Sequence, residues 1–492
     1  MVFFRLAGGG KHRGFARPAV AAPYGGRRVA KSAGIAAPAR GSLSLDGEVI
    51  GSFLARVLGL VLQFATAIVL ARVLDPAGYG VYAYALAIAG LLTIPIQWGL
   101  PTLIVREAAA LRLADNWSLL RGLVIRAHEF MLGTAVLIML LGWFVTSRTS
   151  LFSEPERSSA VFVGLLLAAL VALLGLGTGL LRGLRLTAQS QLIEHAVRPG
   201  LFLAIIALLA WTLPLAALSP VRVVAALSAA TGVAYLACLW LYRRTVPAPV
   251  RSWAPTYTTQ AWFRSAGPMA LTSGLFVVNT QTDVVLLGFL CSDADVGCYR
   301  VAVQLASLLL FLLVLWNAVV AARFAQLHAA RDRHQLQELV SLSSLVVTTW
   351  AVGVYLLFAV AGRPLITALF GPEYQGAYVP LLILGAGQLV NAAAGPVGLL
   401  LTMTGHEQET LKGVAAAAIA NIVLNLMLIP WFGIHGAATA AALSLVIWNV
   451  LLWRSVRRHL AIETFRWRAA VQTFVGSLAV FQQGRYHEGG AP

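Results

Sequence analysis

The chain has 492 residues, 59% of them hydrophobic and only 11% charged, where a soluble domain carries about 25% charged residues. That composition excludes a water-soluble globular protein and fits a chain whose solvent is largely lipid. The 36 basic against 19 acidic residues would suggest nucleic acid in a soluble protein, but in a membrane protein basic residues mark the loops held inside the cell, so no nucleic-acid partner is expected.

Residues 1–45 contain eight Lys/Arg before the first acid, Asp46. They bury too little to fold and read as a disordered basic N-terminal tail, a transit peptide or an over-long gene start. From Val49 the apolar runs follow closely, each near the roughly 20 residues that a membrane helix needs. Helices are expected at 49–72, 81–105, 124–147, 159–181, 195–213, 221–242, 266–289, 297–321, 340–361, 377–403, 412–430 and 434–453. A further apolar piece, 469–481, is too short to span. The expected fold is an all-α integral membrane protein of about 12 transmembrane helices. Residues 46–242 form an N-terminal six-helix bundle, 243–264 a cytoplasmic linker, 265–455 a C-terminal six-helix bundle and 456–492 a basic C-terminal tail.

Charge assigns the sides. With both termini inside, the inner segments hold 27 Lys/Arg and the outer connections six, namely Arg72, Arg148, Arg157, Arg222, Arg300 and Arg363. Arg56, Arg126 and Arg198 lie within or at the mouths of helices. This asymmetry supports the helix count and the orientation.

The first hairpin, "ARVLDPAGYGVYAY" (71–84), is echoed 217 positions later by "GFLCSDADVGCYRV" (288–301), with Gly80 meeting Gly297 and Tyr82 meeting Tyr299. The glycines suit a tight reversal and the tyrosines a polar–apolar boundary. Six is even, so both halves enter the membrane the same way: two parallel bundles related by pseudo-two-fold symmetry. Transporters built so place the substrate site between the halves and rock one half against the other. Cys291 and Cys298 flank the second hairpin as free thiols or as a disulfide; Cys238 reads as packing. No spacing suggests zinc or haem.

No enzyme signature emerges, and neither a metal, a cofactor nor a catalytic residue is expected. "GGRRVAKS" (25–32) departs from a phosphate loop at Ala30 and lacks a preceding strand. "GLGTG" (175–179) lies in an apolar run and reads as close helix packing.

Ionisable groups within spans default to functional hypotheses. Arg56 lies about eight residues into the first helix, either snorkelling to the headgroups or offering its fork to a phosphate. Asp283, beside Asn279, Gln281 and Thr282, is a cavity wall, a cation or proton site, or part of an interhelical hydrogen-bond network. Arg126 with Glu129, and Glu194 with Arg198, sit at helical spacing and read as local ion pairs at the inner boundary or as site residues. Gln63, Gln97, Gln304, Asn317, Asn391, Asn421 and Asn425 are candidate cavity residues; His128 and His195 read as boundary residues.

Four stretches then carry a family resemblance: "LARVLDPAGYGVYAYALAI" with "GLPTLIVREAA" (99–109), "TDVVLLGFLCSDADVGCYRVAVQLA", "LFGPEYQGAYVPLLIL" (369–384) and "NIVLNLMLIPWFGIHGAATAAALS" (421–444). In this order they resemble the Wzx-type polysaccharide-export flippases of the multidrug/oligosaccharidyl-lipid/polysaccharide exporter superfamily, over about 48–460. The resemblance implies a flippase moving an undecaprenyl-diphosphate-linked oligosaccharide from the inner to the outer leaflet of a bacterial cytoplasmic membrane. The substrate-binding set it implies is Arg56, Gln63, Gln97, Arg126, Arg198, Asn279, Gln304 and Asn391, with aromatics stacking on sugars. Asp283, Glu129 or Glu194 would carry a coupling ion. Its implied partners are the polyprenyl-diphosphate-linked glycan, membrane lipids, a polysaccharide polymerase and a chain-length regulator. The rival readings are an ion-coupled drug or metabolite exporter of the same superfamily, a polytopic glycosyltransferase or polymerase, and a non-transport scaffold.

Overall fold

The computed structural model describes residues 47–148, 154–214, 217–246 and 253–464. The expected N-terminal tail, the 469–481 segment and most of the C-terminal tail lie outside these. Among the described residues all regular structure is helical. The first half runs α1 (Gly47–Val73), α2 (Pro76–Gln97), α3 (Leu100–Leu113), α4 (Trp117–Arg148), α5 (Pro155–Gly183), α6 (Thr187–Leu192), a π turn (Ile193–Val197), α7 (Arg198–Thr212) and α8 (Pro220–Thr245). The second runs α9 (Thr259–Leu290), α10 (Asp293–Ala329), α11 (Arg333–Leu369), a 3₁₀ turn (Pro372–Ala377), α12 (Tyr378–Ala394), α13 (Val397–Met403) and α14 (Glu407–Leu460).

Eleven helical segments among the described residues are long and apolar enough to cross a membrane. The last has 54 residues, about 80 Å at 1.5 Å per residue, far beyond a hydrocarbon core of about 30 Å. It turns at Gly433 (φ 53°, ψ −129°), three residues after Pro430, and so supplies the eleventh and twelfth crossings. The crossings divide six and six between α1–α8 and α9–α14, as the sequence reading expects.

Local chemistry explains the starts and breaks. Asp75 caps α2 by accepting from the Gly78 amide at 2.6 Å, with Pro76 at the first helical position, where its missing N–H costs nothing. Ser292 and Asp295 form a reciprocal capping box at α10. Where one helix was expected over 81–105, the chain breaks at Trp98 and Gly99, both left-handed (φ 43° and 72°). A side chain at Gly99 would strike the Ala266 carbonyl oxygen at 2.5 Å. The "GLGTG" run packs closely as read: a Cβ on Gly179 would lie 2.7 Å from the Pro101 carbonyl oxygen, and one on Gly177 2.9 Å from Cys238 Cβ. The linker between the halves is stitched to α4: Thr256 N donates to Ser118 O at 3.2 Å and Arg121 donates to Trp253 O at 2.6 Å.

The repeated glycines have a different role from the expected one. Gly80 and Gly297 are each the fifth residue of a helix, α2 and α10, with no left-handed backbone. They allow α2 and α10 to cross in contact. A Cβ on Gly80 would clash with the Asp293 carbonyl oxygen and lie 3.1 Å from Gly297 N, and one on Gly297 would clash with the Pro76 carbonyl oxygen. The contact is reciprocal, as a pseudo-two-fold axis between the halves requires. Tyr82 and Tyr299 are both buried within the bundle. Cys291 and Cys298 are free thiols, so the disulfide alternative is not taken.

Candidate functional site

A cavity of about 300 Å³ opens inside the bundle, walled by α1, α2, the π turn, α7, α8 and α10. Its charged lining is Glu194, His195, Arg198 and Arg300. Gln63, Thr66, Gln304, Tyr79 and Tyr82 supply the other polar groups. The π turn aims Glu194 and His195 inward. Gly59 on α1 lets the turn approach: a side chain there would lie 2.6 Å from His195 Cβ. Single π turns inside α-helices often mark functional positions. The Arg198 Nε donates to Thr231 Oγ1 at 3.1 Å, which leaves the fork's other donors for the cavity. Two guanidinium cations and an imidazole beside one carboxylate make it a basic chamber in a low-dielectric setting.

The cavity is closed at the end where the α1–α2 and α9–α10 turns lie. Among the described residues, the hydrogen bonds and ion pair that join helices α1–α8 directly to helices α9–α14 all lie there. Arg72 donates to the last carbonyls of α11, Leu369 O at 3.0 Å among them, where a cation also meets the negative end of the helix dipole. The Tyr374 hydroxyl reaches Ala71 O at 3.1 Å and Leu74 O at 3.2 Å. Arg157 pairs with Asp293 at 3.3 Å, donates to Gly288 O and lies 4.1 Å over the Tyr84 ring.

The structure gathers three of the expected binding residues, Gln63, Arg198 and Gln304, with the expected ion-site residue Glu194. Glu194 and Arg198 form no ion pair with each other among the described residues; both face the cavity. The rest lie elsewhere. Arg56 sits one turn beyond Gly59 and donates to Gln191 Oε1 at 3.2 Å, outside the lining. Gln97 packs against Gly175. Asn391 donates to Gln388 at 3.3 Å. Asn279 has a buried Oδ1 without a partner among the described residues. Arg126 pairs with Glu129 at 2.8 Å and covers the Tyr257 ring at 4.7 Å, the local pair that the spacing also allowed. Arg126→Ala and Glu129→Gln are therefore expected to leave transport unchanged and to lower stability by less than about 1 kcal/mol, read by a thermal melt beside a transport assay.

Four lining residues were not legible in the sequence. Arg300 was counted with an outer connection, yet it lies seven residues into α10 and lines the cavity. Its signal was Gln304, one helical turn on along the same face. His195, Tyr79 and Tyr82 were also missed as lining.

Asp283 occupies a second polar centre, between α9, α10 and α14. It is 8% exposed. Its Oδ2 accepts from the Tyr299 hydroxyl at 2.9 Å. Its Oδ1 accepts from Asn421 at 2.8 Å and Asn425 at 2.7 Å. The amide oxygens of both asparagines are buried without a partner among the described residues. In the repeat register, 217 positions back, Thr66 corresponds to Asp283 and Tyr82 to Tyr299. The pair that lines the cavity in the first half is thus closed over by α14 in the second.

The sequence profile of the polysaccharide biosynthesis protein family matches residues 48–328. The chain belongs to this family. Among curated proteins it is similar to two from Haloferax volcanii. One, described as the probable flippase AglR, is 29% identical over 37% of this chain and 38% of its own length. The other, described as the probable low-salt glycan biosynthesis flippase Agl15, is 22% identical over 34% of this chain and 36% of its own. The chain thus matches little more than a third of either relative. Among solved structures, an inward-facing multidrug resistance MATE transporter of the MOP superfamily aligns with a TM-score of 0.69 at 13% identity, over 84% of this chain and 98% of that one. The lipid II flippase MurJ in an inward closed conformation aligns with a TM-score of 0.64 at 13% identity, over 83% and 87%. The protein is a multi-pass membrane protein with the fold of these transporters.

Proposed function

We propose that this member of the polysaccharide biosynthesis protein family is a flippase that carries a polyprenyl-diphosphate-linked oligosaccharide across the membrane by alternating access. The observation that supports this most is the basic chamber inside the membrane-spanning bundle. Two guanidiniums and an imidazole face one carboxylate. Desolvated cations of this kind are retained where an anion comes to meet them, and the planar guanidinium fork matches a phosphate's oxygens. The lipid tail stays in the bilayer while the diphosphate and sugars cross. Arg198 and Arg300 take the role first given to Arg56, which lies behind Gln191. The same charge disfavours a chamber for amphiphilic cations. In this reading the lipid is undecaprenyl in a bacterial cytoplasmic membrane, both termini are cytoplasmic, and a polymerase with its chain-length regulator receives the product for O-antigen, capsule or exopolysaccharide. No catalytic step belongs to the chain itself.

Asp283 supplies the coupling in this proposal. A carboxylate and two amide oxygens without partners, held within one buried cluster, suit a proton or a small monovalent cation.

The test is a gene deletion complemented with wild type, Arg198→Gln or Arg300→Gln. Lipid-linked oligosaccharide should accumulate facing the cytoplasm while surface glycan is lost, and wild type should restore both. Each arginine variant should be made at normal level yet flip on the order of 100-fold more slowly, since losing one side of a buried charge pair costs about 2–5 kcal/mol. Normal glycan with raised sensitivity to cationic drugs would instead establish an exporter. Glycan lost while lipid-linked units reach the outer leaflet would establish a polymerase.

A further inference from the structure

The cavity is graded along the membrane normal. At 1.5 Å per residue, Arg198 lies 14 residues before the end of α7, about 21 Å from it. Tyr82 and Arg300 lie six and seven residues into α2 and α10, only about 10 Å beneath the closed hairpin end. Tyr79 is higher still, one turn from the start of α2. The chamber therefore runs from a floor where Arg198 supplies the positive charge beside the His195 imidazole to an aromatic roof under the closed hairpin end.

That roof has the makings of a carbohydrate site. Tyr79 and Tyr82 are stacked, with ring centroids 6.0 Å apart and planes at 24°. Tyr79 is held from behind by an edge contact with Tyr374 at 6.2 Å. Arg300 lines the same cavity as both tyrosines. The side-chain amides of Gln63 and Gln304 and the Tyr82 hydroxyl line the same space, and among the described residues none has a protein hydrogen-bond partner. Yet Gln304 is 6% exposed and Tyr82 7%. Their polar atoms open onto the cavity, so whatever occupies it, water or a ligand, has to both donate to them and accept from them. A sugar ring fits: its hydroxyls do both, and its apolar face can rest on an aromatic ring. A purely anionic headgroup would serve the arginines and leave the amide oxygens unmet.

We infer that Tyr82, with Gln63 and Gln304, forms a sugar subsite for the first residues of the glycan, placed ahead of the diphosphate held at Arg198. The assignment rests on the flippase reading and adds an orientation to it. The glycan leads into the closed hairpin end and the diphosphate follows. The cavity volume is at the lower end of the roughly 300–1,000 Å³ of ligand pockets, so the subsite takes the sugar next to the diphosphate and little more of the chain.

The experiment measures binding to the purified full-length protein in nanodiscs. The two probes are undecaprenyl diphosphate alone and the same lipid carrying one N-acetylhexosamine. Wild type is expected to bind the sugar-bearing lipid more tightly. Tyr82→Leu should weaken that lipid about tenfold, the effect of losing one good aromatic contact, and leave the bare diphosphate unchanged, while Tyr82→Phe, which keeps the ring and gives up only the hydroxyl's hydrogen bond, should weaken it less. Gln63→Leu gives the same selective loss and decides the matter if Tyr82→Leu does not fold. Equal weakening of both lipids, or no change in either, overturns the subsite while leaving the flippase reading intact. Failure of wild type to bind either lipid removes the flippase reading and the subsite with it.

Discussion

Gly80→Leu is expected to hold the protein with its hairpin end open, abolishing transport without preventing folding. The α2–α10 crossing leaves no room for even one carbon at Gly80, because its Cβ would clash with the Asp293 backbone oxygen. That neighbour is backbone in the first turn of a capped helix and cannot rotate away. Overpacking of this kind typically costs about 1–3 kcal/mol, and each 1.4 kcal/mol shifts a two-state population tenfold. The remaining contacts at this end, Arg72 on the end of α11, Tyr374 on the end of α1 and Arg157 on Asp293, then act across a gap they were built to close. The six crossings within each half are untouched, so a two-state mover relieves the strain by separating the halves. Cys298 reports it natively, being only 9% exposed at this same end. In a Cys291→Ser background, purified Gly80→Leu should react with a maleimide at Cys298 at least tenfold faster than the parent, with an unchanged helical spectrum. Gly297→Leu should match it, since the contact is reciprocal. Equal labelling rates would mean that the clasp is a fixed joint and that any closing and opening occurs elsewhere.

The way this contact was misread marks the boundary of what the sequence carries. The repeat, the paired glycines and the six-plus-six count were legible because apolar runs of fixed length and loop charge survive as one-dimensional patterns. The purpose of the glycines was not, because a glycine wanted for a turn and one wanted for a helix crossing look alike until the partner helix is in place. The polar residues show the same limit. Arg126 with Glu129 and Glu194 with Arg198 are equivalent patterns at helical spacing. One pair is exposed and closed on itself. The other is turned into the cavity by a π turn that fits only because residue 59 has no side chain. Sequence gives a residue's depth in the membrane but not the direction it faces around the helix. Arg300 was misplaced for that reason: close to a turn along the chain, yet facing the space between the halves.

Asp283→Asn is expected to uncouple transport from the ion gradient while the protein still folds. The carboxylate receives three donors, from Tyr299, Asn421 and Asn425, drawn from two further helices, so it ties α9 to α10 and α14. Asparagine keeps the shape but replaces one acceptor oxygen with a donor NH2 facing a donor. Leaving one buried group badly matched costs about 1–3 kcal/mol, part of which the Tyr299 hydroxyl recovers by rotating to accept. The melting temperature should therefore fall by a few degrees, on the order of 2–4 °C per kcal/mol for large domains. Asp283→Leu removes both oxygens, strands two amide donors and should be markedly less stable. The decisive comparison is flipping in vesicles with and without an imposed proton or sodium gradient. Wild type should accelerate with one of them and Asp283→Asn with neither. The first-half counterpart, Thr66, carries no charge and lines the cavity instead, so a Thr66→Val variant should retain the gradient response. An Asp283→Asn protein that still responds to the gradient would make the cluster a structural pin between three helices. Glu194, the one carboxylate in the chamber, would then be the group to test for coupling.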